Sequence, residues 1–136
     1  MKPSVHFLFS LILAMVLYPF FHWDALLVFA GGVLIDADHY LWYIYKYKKY
    51  NFFKCYRHFS SHAEKRDFRE DYGILLICHT IEFLLAAIVL SFYYEYALLF
   101  TFGLALHYLL DLIFLLSVAK RLVADSSIIH WIIKNI

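Results

Sequence analysis

Glycine, proline and cysteine are all scarce in this 136-residue chain, at four, two and two. The two cysteines, Cys55 in a polar stretch and Cys78 in an apolar one, form no ligand-spaced pair, which argues against a thiolate-held metal and leaves the redox compartment unread. Packing suits Cys78 better than a disulfide. So few glycines build no phosphate-binding loop, and there is neither an internal repeat nor a low-complexity stretch. Charged residues make up only 17%, and no Lys or Arg falls within any of the long apolar runs.

What remains is apolar: 64% hydrophobic, 21% aromatic, mean hydropathy +0.68. A chain of this length has too little interior to hide that much apolar surface from water, so an integral membrane protein with one compact domain is expected. Four segments, Val5–Phe21, Ala25–Tyr45, Gly73–Tyr94 and Ala97–Val118, approach the roughly 20 residues that cross a hydrocarbon core as a helix. The first has no small-residue cleavage site and reads as a retained span. The expected fold is all-α: a membrane four-helix bundle, a loop over 46–72 between spans two and three, and an interfacial helix in the tail, 119–136.

Charge orients this bundle. The loop holds eight of the twelve basic residues (Lys46, Lys48, Lys49, Lys54, Arg57, Lys65, Arg66, Arg69), the rest being Lys2, Lys120, Arg121 and Lys134. Both termini and the loop are therefore expected in the cytoplasm, and the protein in the cell membrane as a multi-pass chain. Lys48, Lys49 and Lys54 suit anionic lipid head groups rather than nucleic acid, for which no role is expected. Opposite charges at helical spacing over Glu64–Asp71 predict a short surface helix.

Against this background four carboxylates, Asp36, Asp38, Glu82 and Asp111, lie in or beside the apolar runs, each near a histidine and none near a basic residue. Buried acids without a basic partner need positive charge from elsewhere, and a metal ion is the economical source. His107 and Asp111 are four apart in span four, and His79 and Glu82 three apart in span three, so on continuous helices each pair shares a face. In span two, Asp36 and His39 share a face while Asp38 points away unless the helix unwinds. The neighbouring Gly31-Gly32 would let another helix approach closely.

Depth brings the three motifs together. Counting from the cytoplasmic boundary at about 1.5 Å per residue sets Asp38, His39, His79 and Asp111 roughly 10 to 14 Å deep, Asp36 and Glu82 near 15 Å, and His107 near 20 Å. His58 and His62, four apart in the loop above, are candidates to fold over the site as ligands or acid–base groups. His6, His22 and His130 are read as interfacial, and span one as contributing nothing to the constellation.

The motifs Gly32 to His39 and Gly103 to Asp111, with His58 and Ser61-His62 between, resemble the YdjM-like family of small membrane-bound bacterial and archaeal proteins regarded as metal-dependent hydrolases. The resemblance covers most of residues 25–118. It departs from the family pattern where Ile35 replaces the proline before Asp36. What it implies is metal-dependent hydrolysis.

The residues themselves lead to a similar expectation. Asp36, Asp38, His39, His79, Glu82, His107 and Asp111 would hold one or two divalent ions, zinc first, with manganese or iron as alternatives. Asp38, Glu82, His58 or His62 would move protons. A membrane lipid or lipid-linked phosphoester is the expected substrate. A transporter or channel for a divalent metal or protons, and then a structural assembly protein, are the competing readings, and a homo-oligomer is compatible with each.

Overall fold

In the computed structural model, residues 2–65, 74–119, 124–125 and 127–136 are described. Helices α1 (Pro3–Phe21), α2 (Leu26–Val33), α3 (Ala37–Tyr47), α4 (Phe52–Lys65), α5 (Ile81–Ser91), α6 (Glu95–Phe114) and α7 (Ile128–Asn135) account for most of them. A two-residue parallel pair joins β1 (Ile74–Leu75) to β2 (Ala124–Asp125). The chain is thus all-α in architecture. Among the described residues two stretches are long and apolar enough to cross a membrane: Pro3–Tyr47, which folds back on itself, and Glu95–Ser117; Ile81–Ser91 is apolar but shorter.

Pro19 sits inside the last turn of α1, and the reversal follows at His22–Ala25, where His22 adopts φ 48°. Past this turn α2 lies against α1, with Ser10 facing Gly32. On its other side α2 crosses α6 at backbone distance. A Cβ on Gly103 would overlap the Val28 carbonyl oxygen, and one on Gly31 the Phe100 carbonyl oxygen. Small residues thus bring two backbones together, as the Gly31-Gly32 pair led us to expect. Ile35, Ala87 and Leu104 form the buried core beside this crossing. The outer faces are apolar as well: Val16, Leu34, Leu85 and Leu112 are all exposed.

The third apolar segment differs from expectation. Helix begins only at Ile81, because Ile77–His79 forms a separate 3₁₀ turn and Thr80 is extended (φ −93°, ψ 151°), capping α5 with its side chain. The non-helical backbone is satisfied from elsewhere in the fold. Asp38 Oδ2 accepts from the Cys78 N–H at 3.1 Å, and the Tyr108 hydroxyl lies 3.0 and 2.6 Å from the carbonyl oxygens of Cys78 and Thr80. Buried backbone polar groups need partners, so two side chains replace the helical bonds lost here.

The start of α1, α4 and the tail meet at one end of the helices. Lys2 Nζ reaches Glu64 Oε1 at 2.6 Å, and Ser127 Oγ donates to Glu82 Oε1 at 2.6 Å. The short reversals at His22–Ala25 and Phe92–Tyr94 lie at the other. The surface helix expected over Glu64–Asp71 falls, beyond Lys65, outside the described residues.

Candidate metal centre

Between α2 and α3 the helix tightens into a 3₁₀ turn, Leu34–Asp36. This break rotates the carboxylate ladder, so that Asp36 and Asp38 both face His79 rather than diverging as on a continuous helix. The direction of Asp38, ambiguous from spacing, is thereby fixed. His79 comes from the 3₁₀ turn before α5, and His107 and Asp111 from one face of α6.

Four ligand atoms converge. His79 Nε2 and His107 Nε2 are 3.1 Å apart. His79 Nε2 lies 3.7 Å from both Asp36 Oδ1 and Asp111 Oδ2, and His107 Nε2 lies 3.7 and 3.2 Å from the same two oxygens. Ligands at tetrahedral corners about 2.1 Å from an ion are separated by about 3.4 Å, close to these spacings. Among the described residues, Asp36, His79 and His107 form one of three clusters with metal-compatible geometry; the others are His6, His107, Asp111 and Asp38, His39, His79.

Hydrogen bonding assigns the protons on the two histidines. His107 Nδ1 lies 2.9 Å from the Gly32 carbonyl oxygen, which only accepts, and His79 Nδ1 lies 3.0 Å from Asp38 Oδ2. Both Nδ1 atoms therefore donate, and the two rings turn their Nε2 atoms toward the same point. Two ring nitrogens at 3.1 Å with two carboxylates around them could hold a metal ion, or share a proton carried by one ring. A backbone carbonyl and a carboxylate behind the rings are also what metal-ligating histidines require to stay aligned.

Asp38, 9% exposed, is committed to orientation: Oδ2 serves Cys78 and His79, and Oδ1 lies 3.1 Å from His39 Nδ1. His39 Nδ1 also lies 3.4 Å from Asp36 Oδ1, so this atom donates to carboxylates. The His39 ring stands edge-on to His79 and is capped by Phe59 of α4.

One expected member sits elsewhere. Glu82 turns toward α7, accepting from Ser127 Oγ at 2.6 Å, the Ile128 N–H at 3.1 Å and the Ile129 N–H at 3.4 Å. It caps the tail helix and belongs to none of the three clusters. The reason is the extended Thr80, which breaks the helical register assumed between His79 and Glu82. On α4 the His58 and His62 rings are 4.1 Å apart, His58 against Tyr43 and Tyr47, and Phe59 of the same helix packs on His39.

Conversely, span one does contribute. His6, 1% exposed, stacks on His107 with ring centroids 3.7 Å apart and an interplanar angle of 12°, and its Nε2 lies 3.1 Å from Asp111 Oδ1. Reading it as interfacial missed this, and spacing within α1 carries no signal for it: His6 reaches the site only because α1 packs beside α6. No family model, curated protein or solved structure matches this chain.

Proposed function

We propose that this protein is a membrane-embedded, metal-dependent hydrolase acting on a lipid or lipid-linked phosphoester from the cytoplasmic side. The supporting observation is the facing pair of Nε2 atoms on His79 and His107, bracketed by Asp36 and Asp111. Imidazole and carboxylate donors at tetrahedral spacing suit zinc, with manganese or iron as alternatives. An ion held there supplies Lewis acidity and an activated water.

The remaining residues take complementary roles. Asp36 and Asp111 are partly exposed, 21% and 30% at the side chain, so the carboxylate side of the centre is open to a substrate. Asp38 fixes both His79 and His39. With Nδ1 donating to Asp38 and Asp36, His39 would support the carboxylates of the centre from behind. The motif resemblance to the YdjM-like family points the same way.

An enzyme is favoured over a carrier by what lies beyond His107. Toward the far end of α6, Leu104, Leu99 and Val28 are buried, and the Thr101 hydroxyl is bound to the carbonyl oxygens of Ala87 and Ala97. Such a lining, apolar apart from the Ser10 and Thr101 hydroxyls, offers an ion few ligands to exchange for and no charged one. The test is elemental analysis of protein purified without chelator, beside a His107→Ala, Asp111→Ala double variant, followed by hydrolysis of lipid phosphoesters in detergent. Stoichiometric metal lost in the variant, with metal-dependent turnover, is the expected result. Protein without metal refutes the proposal, and ion uptake into sealed vesicles without turnover replaces it with the carrier.

A further inference from the structure

We propose that His6 is a positioning residue for the metal centre, holding Asp111 through a donated hydrogen bond. This deepens the metal reading above and rests on it. A carboxylate at the end of a helical side chain turns easily, because its last torsion is broad and nearly two-fold. Asp111 Oδ2 faces His79 and His107, and a donor on Oδ1 helps to fix the orientation of the group. That atom is 3.1 Å from His6 Nε2.

Plain core packing accounts poorly for a histidine here. His6 is 1% exposed, and burying an imidazole is costly without hydrogen bonds, whereas Leu or Phe would fill the space at no such cost. Its Nδ1 has no hydrogen-bond partner among the described residues, so the Asp111 contact is the one that requires a nitrogen. Because the carboxylate accepts, His6 Nε2 carries the proton. The near-parallel stack on His107, 3.7 Å between centroids, sets the His6 ring so that this N–H meets Oδ1. Residues behind a ligand typically govern metal affinity by about tenfold to hundredfold, and His6 makes α1 part of that support.

Two substitutions separate the hydrogen bond from the stack. His6→Phe keeps an aromatic ring against His107 and removes the donor; His6→Gln removes the ring and keeps an amide N–H near the position of Nε2. Full-length protein in detergent is titrated with Co²⁺ against a competing chelator, with the visible ligand-field spectrum and the helical circular dichroism recorded together. His6→Phe is expected to weaken Co²⁺ binding about tenfold or more and to alter the spectrum, while His6→Gln stays within about threefold of the parent. Unchanged affinity and spectrum in His6→Phe, or equal losses in both variants, overturns the role of His6 and leaves the metal centre standing. A parent protein that takes up no Co²⁺ overturns both. If His6→Phe loses helicity, His6→Gln decides alone: parent-like binding supports the donor, and loss of binding with helicity intact overturns it.

Discussion

Asp38 Oδ2 lies 3.0 Å from His79 Nδ1 and accepts its proton, which aims the other nitrogen of that ring at His107. The same oxygen accepts from the Cys78 N–H, so the acid that orients the ligand also anchors the non-helical turn carrying it. One side chain from α3 thereby fixes both the backbone and the tautomer of a residue 41 positions away.

Removing that anchor is expected to weaken metal binding without touching a ligand. Asp38→Ala leaves the Cys78 N–H and His79 Nδ1 without their acceptor, and zinc affinity should fall about tenfold to hundredfold. Asp38→Asn retains a carbonyl oxygen that can accept from both, and should keep most of the affinity. Chelator competition on the two purified variants checks this. Parent-like affinity in Asp38→Ala would show that His79 is aligned by something else.

Glu82 gives a prediction of opposite sense. Its carboxylate accepts from the first turn of α7, so Glu82→Ala should release that helix and leave metal content at the parent value. Hydrogen exchange at the Ile128 and Ile129 amides, run beside elemental analysis, reads both. Loss of metal with α7 still protected would return Glu82 to the site.

Asp36, His79, His107 and Asp111 were legible in the sequence because acids without bases in apolar runs are costly, and because counting from the boundary placed Asp36, His79 and Asp111 at similar depth, with His107 about one turn deeper. The pair His107 and Asp111 was the surest, since α6 runs unbroken from Glu95 to Phe114. His79 with Glu82 failed for the complementary reason: the three-residue spacing has meaning only on a continuous helix, and Thr80 is extended. The local signal for that break is Thr80, a residue type that caps helix starts, and the break is tolerated because Asp38 and Tyr108 satisfy the freed backbone. His6 was illegible for a tertiary reason, its partner Asp111 lying at the far end of the sequence.

The α2–α6 crossing admits a direct test. A Cβ on Gly103 would overlap the backbone of Val28, and neither helix can yield there as a flexible side chain would. Gly103→Ala should lower stability by about 1–3 kcal/mol, as overpacking does, and separate His107 from the Gly32 carbonyl that holds its Nδ1. Thermal unfolding in detergent, with metal affinity measured on the folded fraction, should therefore show both falling. A variant as stable as the parent would mean the helices cross farther apart.

The docking of α4 over the centre can be followed through Cys55, which is 4% exposed on that helix. Burial pushes its thiol up to about 11 from an ordinary 9.0. At pH 8 the thiolate fraction is then about a hundredfold below that of an ordinary thiol, and alkylation should slow in proportion. The sign for stability follows from the same shift. The folded chain holds the proton more tightly than the unfolded one, so the stabilisation is fully present below pH 9 and is lost as pH rises toward 11. Peptide-resolved iodoacetamide labelling from pH 8 to 11 should show slow modification of Cys55 that accelerates across this window. Cys55→Ala should remove the corresponding fall in melting temperature, whereas labelling at the ordinary rate at pH 8 would mean that α4 does not stay packed against the bundle.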